Sequence, residues 1–334
     1  MRRALLACLL AATATAAQGQ NVQNAQDAWR LERIAVPARV STVETVGDEV
    51  RIQTGAKWYR LHRDGDKVTL AAMQPPRRPP LPNGALHDGR IATGSRDVAR
   101  AWLAQPTRRY DHGVLGDAIE AGALMIETAE GKRHAVTLGN DAVFEDLAPR
   151  IADLDGDGRD EVIVVKSYLA RGSALAVIAA RDGRYAIAAE TPPLGHSHRW
   201  LDPAGIADFT GDGKREIALV RQPHVVGSLE LWSWQGKTMR KLAVMPDAAN
   251  HIIGTRAIHM SAVADFDGDG TADLALPSLD RSRLRIVSFA PQAREIASVK
   301  LPAKAATNFG LLKDAPAIVV GLSDGSLAIA RRAR

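Results

Sequence analysis

Short apolar runs alternate with polar, glycine-containing turns along most of this chain. Residues 228–234 are rich in leucine and tryptophan and lead into the turn Gln235-Gly236. Residues 318–322 and 326–330 are two further apolar runs, separated by Ser-Asp-Gly. Runs of this length, bounded by such turns, are typical of β-strands joined by hairpins. The pattern predicts an all-β protein.

One segment occurs three times. Residues 151–165, 206–220 and 263–277 align with each other, and the interval between copies is 55 residues and then 57. An interval of this size accommodates four short strands with their turns, which is one blade of a β-propeller.

Each copy contains a loop rich in oxygen ligands. Its first, third and fifth positions carry side-chain oxygens, its sixth is glycine, its seventh offers a backbone carbonyl and its ninth is Asp or Glu. Hard oxygen donors in one tight loop suit Ca²⁺ better than zinc or copper. Two carboxylates about 4 Å apart repel by roughly 4 kcal/mol at an intermediate dielectric, and a bound cation would offset this. The predicted ligands are Asp153, Asp155, Asp157, Arg159 and Glu161 in the first copy, Asp208, Thr210, Asp212, Lys214 and Glu216 in the second, and Asp265, Asp267, Asp269, Thr271 and Asp273 in the third.

The residues of these loops have two other interpretations, a plain turn and an EF-hand. Asp-Gly pairs form good turns without a metal, but this does not explain an acidic ninth position beside glycine at the sixth in all three copies. An EF-hand needs glutamate at position 12 and flanking helices. Position 12 here is Val164, Leu219 or Leu276, and the flanks have strand patterns. We therefore expect two or three structural calcium sites.

The pattern D-x-D-x-D-G-x-x-D/E between two strands resembles the FG-GAP, or VCBS-type, repeat. The resemblance covers about residues 145–290, and Phe309-Gly310 repeats the Phe-Gly pair without the aspartates. It implies a β-propeller similar to the head of integrin α-subunits, with calcium between the first and second strands of a blade. Thr210 replaces a carboxylate, so we expect the middle site to be the weakest.

The remaining segments extend the propeller to six blades, or seven if residues 85–144 contain another. Residues 39–73 predict one blade, and residues 307–334 predict a blade that lacks its fourth strand. Residues 29–36 are predicted to supply that strand, because closing the ring this way removes a free sheet edge. Residues 28–334 would then form a single domain.

Two segments within this domain have a distinct pattern. Residues 74–84 contain five prolines, which predicts an extended, stiff chain. We interpret the segment as an inter-blade connection across the surface rather than a P-x-x-P recognition sequence. In residues 96–104, Val98, Ala101 and Trp102 have i, i+3, i+4 spacing, which predicts one short helix.

Residues 1–17 have the pattern of a secretory signal peptide. Arg2 and Arg3 precede a short apolar run and then small residues, so cleavage is expected after residue 17 or as late as residue 19. Cys8, the only cysteine, lies in this run, so the mature chain is expected to have no thiol. We expect an exported protein, periplasmic or secreted, without stable membrane insertion after signal removal. The net charge of +5 is modest and no basic run with interleaved aromatics occurs, so nucleic acid is not an expected partner.

The topology predicts where a ligand would bind. If the calcium loops lie at one end of the blades, the inter-blade loops lie at the opposite end. Arginine and histidine are frequent there, which suggests a face for an anionic or carbohydrate partner. The alternative is that these are ordinary solvated loop residues. The candidate residues are His198, Arg199, Trp200, Arg256 and His259.

The common catalytic motifs are missing from the sequence, so no catalytic residue is assigned. The leading hypothesis is a calcium-binding propeller that acts as a non-enzymatic binding or interaction module for a protein or carbohydrate. One alternative is a polysaccharide-active lyase or hydrolase with a site on a propeller face or in the central channel. Tyr110, His112 and Asp117 are its candidate residues. The other alternative is a structural domain of an envelope assembly.

Overall fold

The computed structural model describes residues 29–65, 67–314 and 316–333. The predicted signal peptide and Cys8 lie outside these ranges. Within them the protein is all-β, and its one helix is the short 3₁₀ turn Gly113–Leu115. The predicted fold class is confirmed at this level. No helix among these residues is long and apolar enough to cross a membrane.

The first complete sheet follows the strand β1 (Trp29–Ile34). It contains β2 (Val40–Val46), β3 (Glu49–Thr54), β4 (Lys57–Asp64) and β5 (Lys67–Met73), which pair in that order. In β3, Val50 and Ile52 are fully buried while their neighbours are less so. This alternation places one apolar face of the sheet against the core.

The second sheet has nine strands. Its strands are β6 (Ala92–Thr93), β7 (Val98–Thr107), β8 (Glu120–Thr128), β9 (Arg133–Thr137), β10 (Ala142–Phe144), β11 (Arg150–Ala152), β12 (Glu161–Tyr168), β13 (Gly172–Arg181) and β14 (Arg184–Glu190). Strand β10 pairs with both β8 and β12. The sheet therefore consists of two four-stranded units, β6–β9 and β11–β14, joined by β10.

The predicted helix at residues 96–104 is wrong, because most of this segment belongs to β7. Ala101, Trp102 and Leu103 are all buried, and β7 pairs along most of its length with β8. A strand buried on both faces carries apolar residues on both, so its spacing can match a helical period by chance.

Three more units complete the chain. Their strands are β15 (Leu201–Ala207), β16 (Glu216–Arg221), β17 (Ser228–Trp234) and β18 (Met239–Met245), then β19 (Ala262–Ala264), β20 (Asp273–Pro277), β21 (Arg283–Ser288) and β22 (Arg294–Lys300), then β23 (Ala305–Leu312), β24 (Ala317–Leu322) and β25 (Leu327–Arg332). All pairings in these sheets are antiparallel.

Strand β1 is the fourth strand of the last unit. It pairs antiparallel with β25, from Trp29 opposite Arg332 to Ile34 opposite Leu327. The predicted pairing of the N-terminal strand with the C-terminal unit is therefore present. It covers the edge of β25 that would otherwise expose unpaired backbone groups.

The apolar cores lie between the faces of neighbouring sheets. One cluster joins Val43 and Ile52 of the β2–β5 sheet to Val319 and Ile329 of the last unit. Another joins the β15–β18 sheet to the β19–β22 sheet around Phe209, which is fully buried. Each fully buried large side chain contributes about 1.5–3 kcal/mol. The sheets therefore hold each other face to face, which is the packing of a propeller-like fold.

Candidate calcium loops, a histidine cluster and a channel cavity

The three aspartate-rich loops occupy equivalent positions in three consecutive units. Loop 1 (residues 153–161) joins β11 to β12, loop 2 (residues 208–216) joins β15 to β16, and loop 3 (residues 265–273) joins β19 to β20. Each therefore follows the first strand of its unit. All three lie at the same end of the units because the strand order is the same.

The aspartate at the first position organises each loop. In loop 1, Asp153 Oδ1 accepts the N–H of Gly156 at 2.8 Å and Oδ2 accepts that of Gly158 at 3.1 Å. The same two bonds recur from Gly211 and Gly213 to Asp208, at 2.7 and 2.9 Å, and from Gly268 and Gly270 to Asp265, at 2.6 and 2.9 Å. Gly158 has a φ of 90°, which a residue with a Cβ adopts only with strain.

The fifth position fixes the backbone of the seventh. The carboxylate at position 5 accepts the N–H of position 7 at 2.8, 2.9 and 2.8 Å, in the pairs Asp157–Arg159, Asp212–Lys214 and Asp269–Thr271. The side chain at position 7 differs between the loops while its backbone contact does not. The feature of position 7 that all three loops share is therefore its backbone.

The acidic residue at position 9 begins the next strand and turns one oxygen back into the loop. Glu161, Glu216 and Asp273 are buried, and each accepts the N–H of the second loop residue at 2.9 Å. The other oxygen of Asp273, Oδ1, is buried without a hydrogen-bond partner among the described residues. A buried oxygen in this state is costly, and a cation bound there would remove the cost.

Carboxylate oxygens converge in every loop. Within each of three groups they lie within 4.8 Å of one another: Asp153, Asp155 and Glu161; Asp208, Asp212 and Glu216; Asp265, Asp267 and Asp269. Burial, with the charges of nearby aspartates, raises the pKa of Glu161 to about 8 and that of Asp273 to about 7. The loops thus disfavour their own full ionisation, which is the state that a divalent cation stabilises.

Arginines from neighbouring units contact loops 1 and 3. Arg96, between β6 and β7, forms an ion pair with Asp153, and Arg332, at the end of β25, donates to the carbonyl of Asp267. Asp97 also accepts the N–H of Asp160 at 2.7 Å. These bonds fasten the loops to adjacent units. Sequence reasoning missed Arg96 because it was placed in a predicted helix.

A cluster of ring side chains lies at the opposite end of the units, in the connections that follow the second strands and precede the first. We call it the histidine cluster; it consists of Tyr110, His112, His198, Trp200, His224 and His251. Tyr110 and His198 stack with ring centroids 5.1 Å apart. Trp200 stacks on His224 at 6.2 Å and meets His251 edge-on at 4.8 Å. A small cavity of about 110 Å³ opens beside His112, Trp200 and His224.

Buried carboxylates lie beneath this cluster. His112 Nδ1 is 2.6 Å from Glu145 Oε1, and Ser167 donates to Oε2 of the same carboxylate. Glu145 is fully buried; burial raises its pKa and the bond to His112 opposes this. Both oxygens of buried Glu120 lack a hydrogen-bond partner among the described residues. Burial, and then the charge of Glu145, raise the pKa of Glu120 to about 10, so it stays protonated at neutral pH.

The pair His224–His251 has a defined tautomer. His251 Nε2 lies 2.9 Å from the carbonyl oxygen of Thr255, so this nitrogen donates. Its Nδ1 then accepts from His224 Nε2, also at 2.9 Å. Burial lowers the pKa of His224 to about 4 and that of His251 to about 3. Both rings are therefore neutral at pH 7.

The predicted ligand-face residues do not all line one site. His198 joins the histidine cluster, and exposed Arg199 lines its small cavity. Trp200 is buried, and its Nε1 donates to the carbonyl of Glu145 at 3.1 Å. Its ring therefore does not offer an exposed surface on which a ligand could stack. His259 lies elsewhere, on the larger cavity described below.

Arg256 is already balanced by acidic partners. It forms ion pairs with Asp88 at 2.8 Å and with Asp117 at 2.9 Å. Asp117, grouped with Tyr110 and His112 as an enzyme candidate, therefore belongs to a separate polar group that also includes His87, 3.3 Å from its carboxylate.

Sequence reasoning missed Glu120, Glu145 and His251. Glu145 and Asp146 follow the apolar run Ala142–Phe144 and precede Leu147. Acids inside an apolar run are a signal of buried carboxylates, and that signal could have located Glu145.

A larger cavity, of about 780 Å³, lies where β2, β19 and β23 face the proline-rich segment 74–84. We call it the channel cavity. Thr45, Ala262 and Phe309 line it from the strands, and Pro76 and Leu81 from the segment. The proline-rich segment is thus a cavity wall as well as a connection. His259 lines the cavity and its side chain keeps an exposed surface. The many protein atoms around the ring desolvate it and lower its pKa to about 3, with smaller effects of Arg150 and Arg90.

Comparison with known proteins supports the repeat assignment. A family model described as "FG-GAP-like repeat" matches residues 153–219 and 208–276. These residues are FG-GAP-like repeats, which confirms the resemblance inferred from the aspartate pattern. Among solved structures, one described as "Streptogramin B lyase structure" is similar at 12% identity and a TM-score of 0.47, over 91% of this chain and 98% of that chain. A likeness at this level carries no conclusion about activity. No curated protein sequence matches the chain.

Proposed function

We propose that this chain is an exported, calcium-loaded β-propeller of six blades that acts as a non-enzymatic binding module. The observation that carries the proposal is the set of hydrogen bonds that recurs in loops 1, 2 and 3. In each, a first-position aspartate and a buried ninth-position acid are held in the same way by backbone N–H groups. Three carboxylates also converge in each loop, which is unfavourable unless a cation is bound.

Counting the units supports six blades. Four separate sheets contain four strands each, and the nine-stranded sheet contains two further four-stranded units. Strand β1 supplies the fourth strand of the last unit. Strand β10 is an extra bridging strand, so the region 85–144 adds one blade under this proposal.

The donor set favours calcium over a transition metal. The side chains at positions 1, 3, 5 and 9 and the carbonyl at position 7 present only oxygen, and calcium accepts six to eight such ligands in flexible geometry. When bound, it would supply the positive charge that these carboxylates lack. The loops would then bind the start of the second strand of each unit firmly to the end of the first.

Chelation tests the calcium proposal. A ligand that binds only the folded state stabilises it by about 2.7 kcal/mol per site at a concentration of 100 Kd. Calcium-loaded protein should therefore melt at a lower temperature after EDTA is added, and calcium should restore the transition where magnesium does not. An unchanged Tm in scanning calorimetry would refute structural calcium sites.

Export rests on the pattern of residues 1–17. The test is expression of the full chain with its native N-terminus, followed by fractionation and N-terminal sequencing. A mature protein outside the cytoplasm that begins near residue 18 supports the proposal. An unprocessed cytoplasmic protein contradicts it.

One observation favours the enzyme alternative as a second candidate. Glu145 holds Nδ1 of His112, which leaves Nε2 as the proton-accepting atom of a side chain that lines the small cavity. A histidine oriented by a buried carboxylate can serve as a general base. The test is turnover of acidic and neutral polysaccharides by the wild type, His112→Gln and the control His62→Gln, which changes an exposed histidine of β4. Activity lost only in His112→Gln would favour a lyase or hydrolase over a binding module.

A further inference from the structure

The channel cavity contains guanidinium groups without a counter-ion. Arg77, Arg78 and Arg90 line it. None of the three side chains forms a hydrogen bond or an ion pair with another described residue. Arg51 also lines the cavity, but Glu49 binds it at 2.8 Å. The cavity therefore holds three unpaired cations.

Arg90 is the most enclosed of these cations. Its backbone N–H donates to the carbonyl of Leu147 at 2.7 Å, which fixes its position just before β6. Burial, and then the charge of Arg78, lower the pKa of its guanidinium. Taking a cation out of water without a partner is costly.

The acidic residues of the cavity offset this cost only in part, because neither forms an ion pair with Arg90. Asp88 is engaged by Arg256 at 2.8 Å. Glu44 and, more weakly, Asp88 lie near enough to favour the charged form of Arg90. The four arginines of the lining exceed its two carboxylates, Glu44 and Asp88.

The rest of the cavity wall supplies hydrogen-bond donors and apolar surface for a bound organic molecule. Asn308 Oδ1 accepts the N–H of His259 at 3.0 Å, so its amide group is oriented and keeps N–H donors. Phe309, Leu311 and Pro76 add apolar surface. The cavity volume of about 780 Å³ lies in the range of small-molecule sites.

We infer that the channel cavity binds a small organic anion, whose carboxylate, sulfate or phosphate group pairs with Arg90. Arg77 and Arg78 flank that group from the proline-rich segment. A guanidinium presents parallel N–H donors that match two oxygens of such a group. The inference rests on the proposed binding function, because it names the ligand class of the module, but it uses no residue of the calcium loops.

Calorimetric titration of calcium-loaded protein tests the inference with matched probes. The anions are D-glucuronate, D-glucose 6-sulfate and D-glucose 6-phosphate, and the neutral control is D-glucose. We expect saturable binding of at least one anion and binding of D-glucose at least about tenfold weaker, since charge-assisted bonds discriminate by this much. The tightest anion identifies which acidic group the cavity prefers. Absence of binding by all three anions at millimolar concentration, or equal binding of D-glucose, overturns the inference.

Variants locate the binding in the channel cavity. Arg90→Gln should weaken the binding of the best anion by about tenfold or more, because the central ion pair is lost. Arg240→Gln, on the exposed side of β18, makes the same charge change elsewhere and should leave binding within about twofold. Equal weakening by the two substitutions would overturn the inference.

A second variant covers the case in which Arg90→Gln does not fold. Arg77 and Arg78 are exposed, so the double variant Arg77→Gln/Arg78→Gln should keep the wild-type Tm and still weaken anion binding by about threefold or more. Unchanged binding in the double variant then overturns the inference. The Tm shift with EDTA, measured on the same samples, separates the two proposals. Anion binding that fails while EDTA still lowers the Tm refutes only the anion site.

Discussion

The Thr210 hydroxyl donates a hydrogen bond to Glu216 Oε1 at 3.1 Å. Loops 1 and 3 carry Asp155 and Asp267 at this position, and an ionised aspartate has no proton to donate. In loop 3, one oxygen of the equivalent acid, Asp273 Oδ1, is buried without a partner. Thr210 therefore replaces a carboxylate with a hydroxyl at a proposed calcium-binding position, and it supplies a hydrogen bond to the buried acid of its loop.

Thr210→Asp should add the missing carboxylate to loop 2 and remove the hydrogen bond that the hydroxyl donates to Glu216. We expect tighter calcium binding in loop 2 because a carboxylate is added, and a calcium-free protein that is less stable by about 1–3 kcal/mol because a buried acid loses its donor and gains a like charge. The measurement is the free energy of unfolding in EDTA and in calcium. Thr238→Asp, in an exposed turn outside the loops, is the control. A variant that is as stable as the wild type in EDTA would contradict the assigned role of the hydroxyl.

Glu120→Gln should stabilise the protein increasingly as the pH rises. The folded state keeps Glu120 protonated up to a pKa of about 10, whereas the ordinary value is 4.5. Between these values the unfolded chain releases the proton and the folded wild type does not, so the wild type loses stability with rising pH. Glutamine does not titrate, and the stability difference should grow by up to ~1.4 kcal/mol per pH unit.

Urea denaturation at several pH values measures this difference. Glu130→Gln is the matched control, because its exposed side chain lies in the β8–β9 turn of the same unit. A pH-independent difference for Glu120→Gln would show that the carboxyl is ionised in the folded protein.

The sequence predicted the calcium-type loops because their contacts are local. The Asp153 carboxylate accepts the N–H groups of Gly156 and Gly158, and Glu161 accepts that of Leu154, so all these hydrogen bonds lie within one short segment. The spacing of residues in the sequence can reveal contacts of this kind. The Phe-Gly pair and the closing strand were also recognisable, since each belongs to a regular strand pattern.

The histidine cluster could not be predicted in the same way. The Tyr110 hydroxyl accepts the N–H of His198, and His112 bonds Glu145, across long stretches of chain. Such contacts depend on how the units pack, and no spacing in one sequence encodes them. The channel cavity was missed for the same reason, because the proline-rich segment becomes a wall only when β2, β19 and β23 assemble around it.

Removal of residues 29–36 should destabilise the whole domain. Strand β25 would lose β1 along its full length and keep only β24 as a partner. Trp29, whose ring lies 6.0 Å from that of Phe266, and the core residue Ile34 would be lost as well. Buried side chains contribute about 1.5–3 kcal/mol each, so we expect a loss of several kcal/mol together with aggregation through the exposed edge. Calorimetry and light scattering against a chain that begins at residue 28 measure both effects, and an equal Tm would argue against closure by β1.

Gly310→Ala should show why glycine follows Phe309 in a unit that lacks the aspartate-rich loop. A Cβ at residue 310 would lie 2.6 Å from Val50 Cγ1 and 3.0 Å from Val43 Cγ1, where β23 packs on the β2–β5 sheet. Both valines are fully buried and cannot move into solvent. We expect a loss of about 1–3 kcal/mol, the usual cost of overpacking.

A second substitution distinguishes this steric effect from a general intolerance of change. Val50→Ala should cost stability alone yet recover part of the loss in the Gly310→Ala background, because the two residues share one space. Gly113→Ala is the control, since a Cβ there would meet no atom within 4 Å. Additive effects of Gly310→Ala and Val50→Ala in urea denaturation would mean that β23 and the β2–β5 sheet are not in close contact at these two residues.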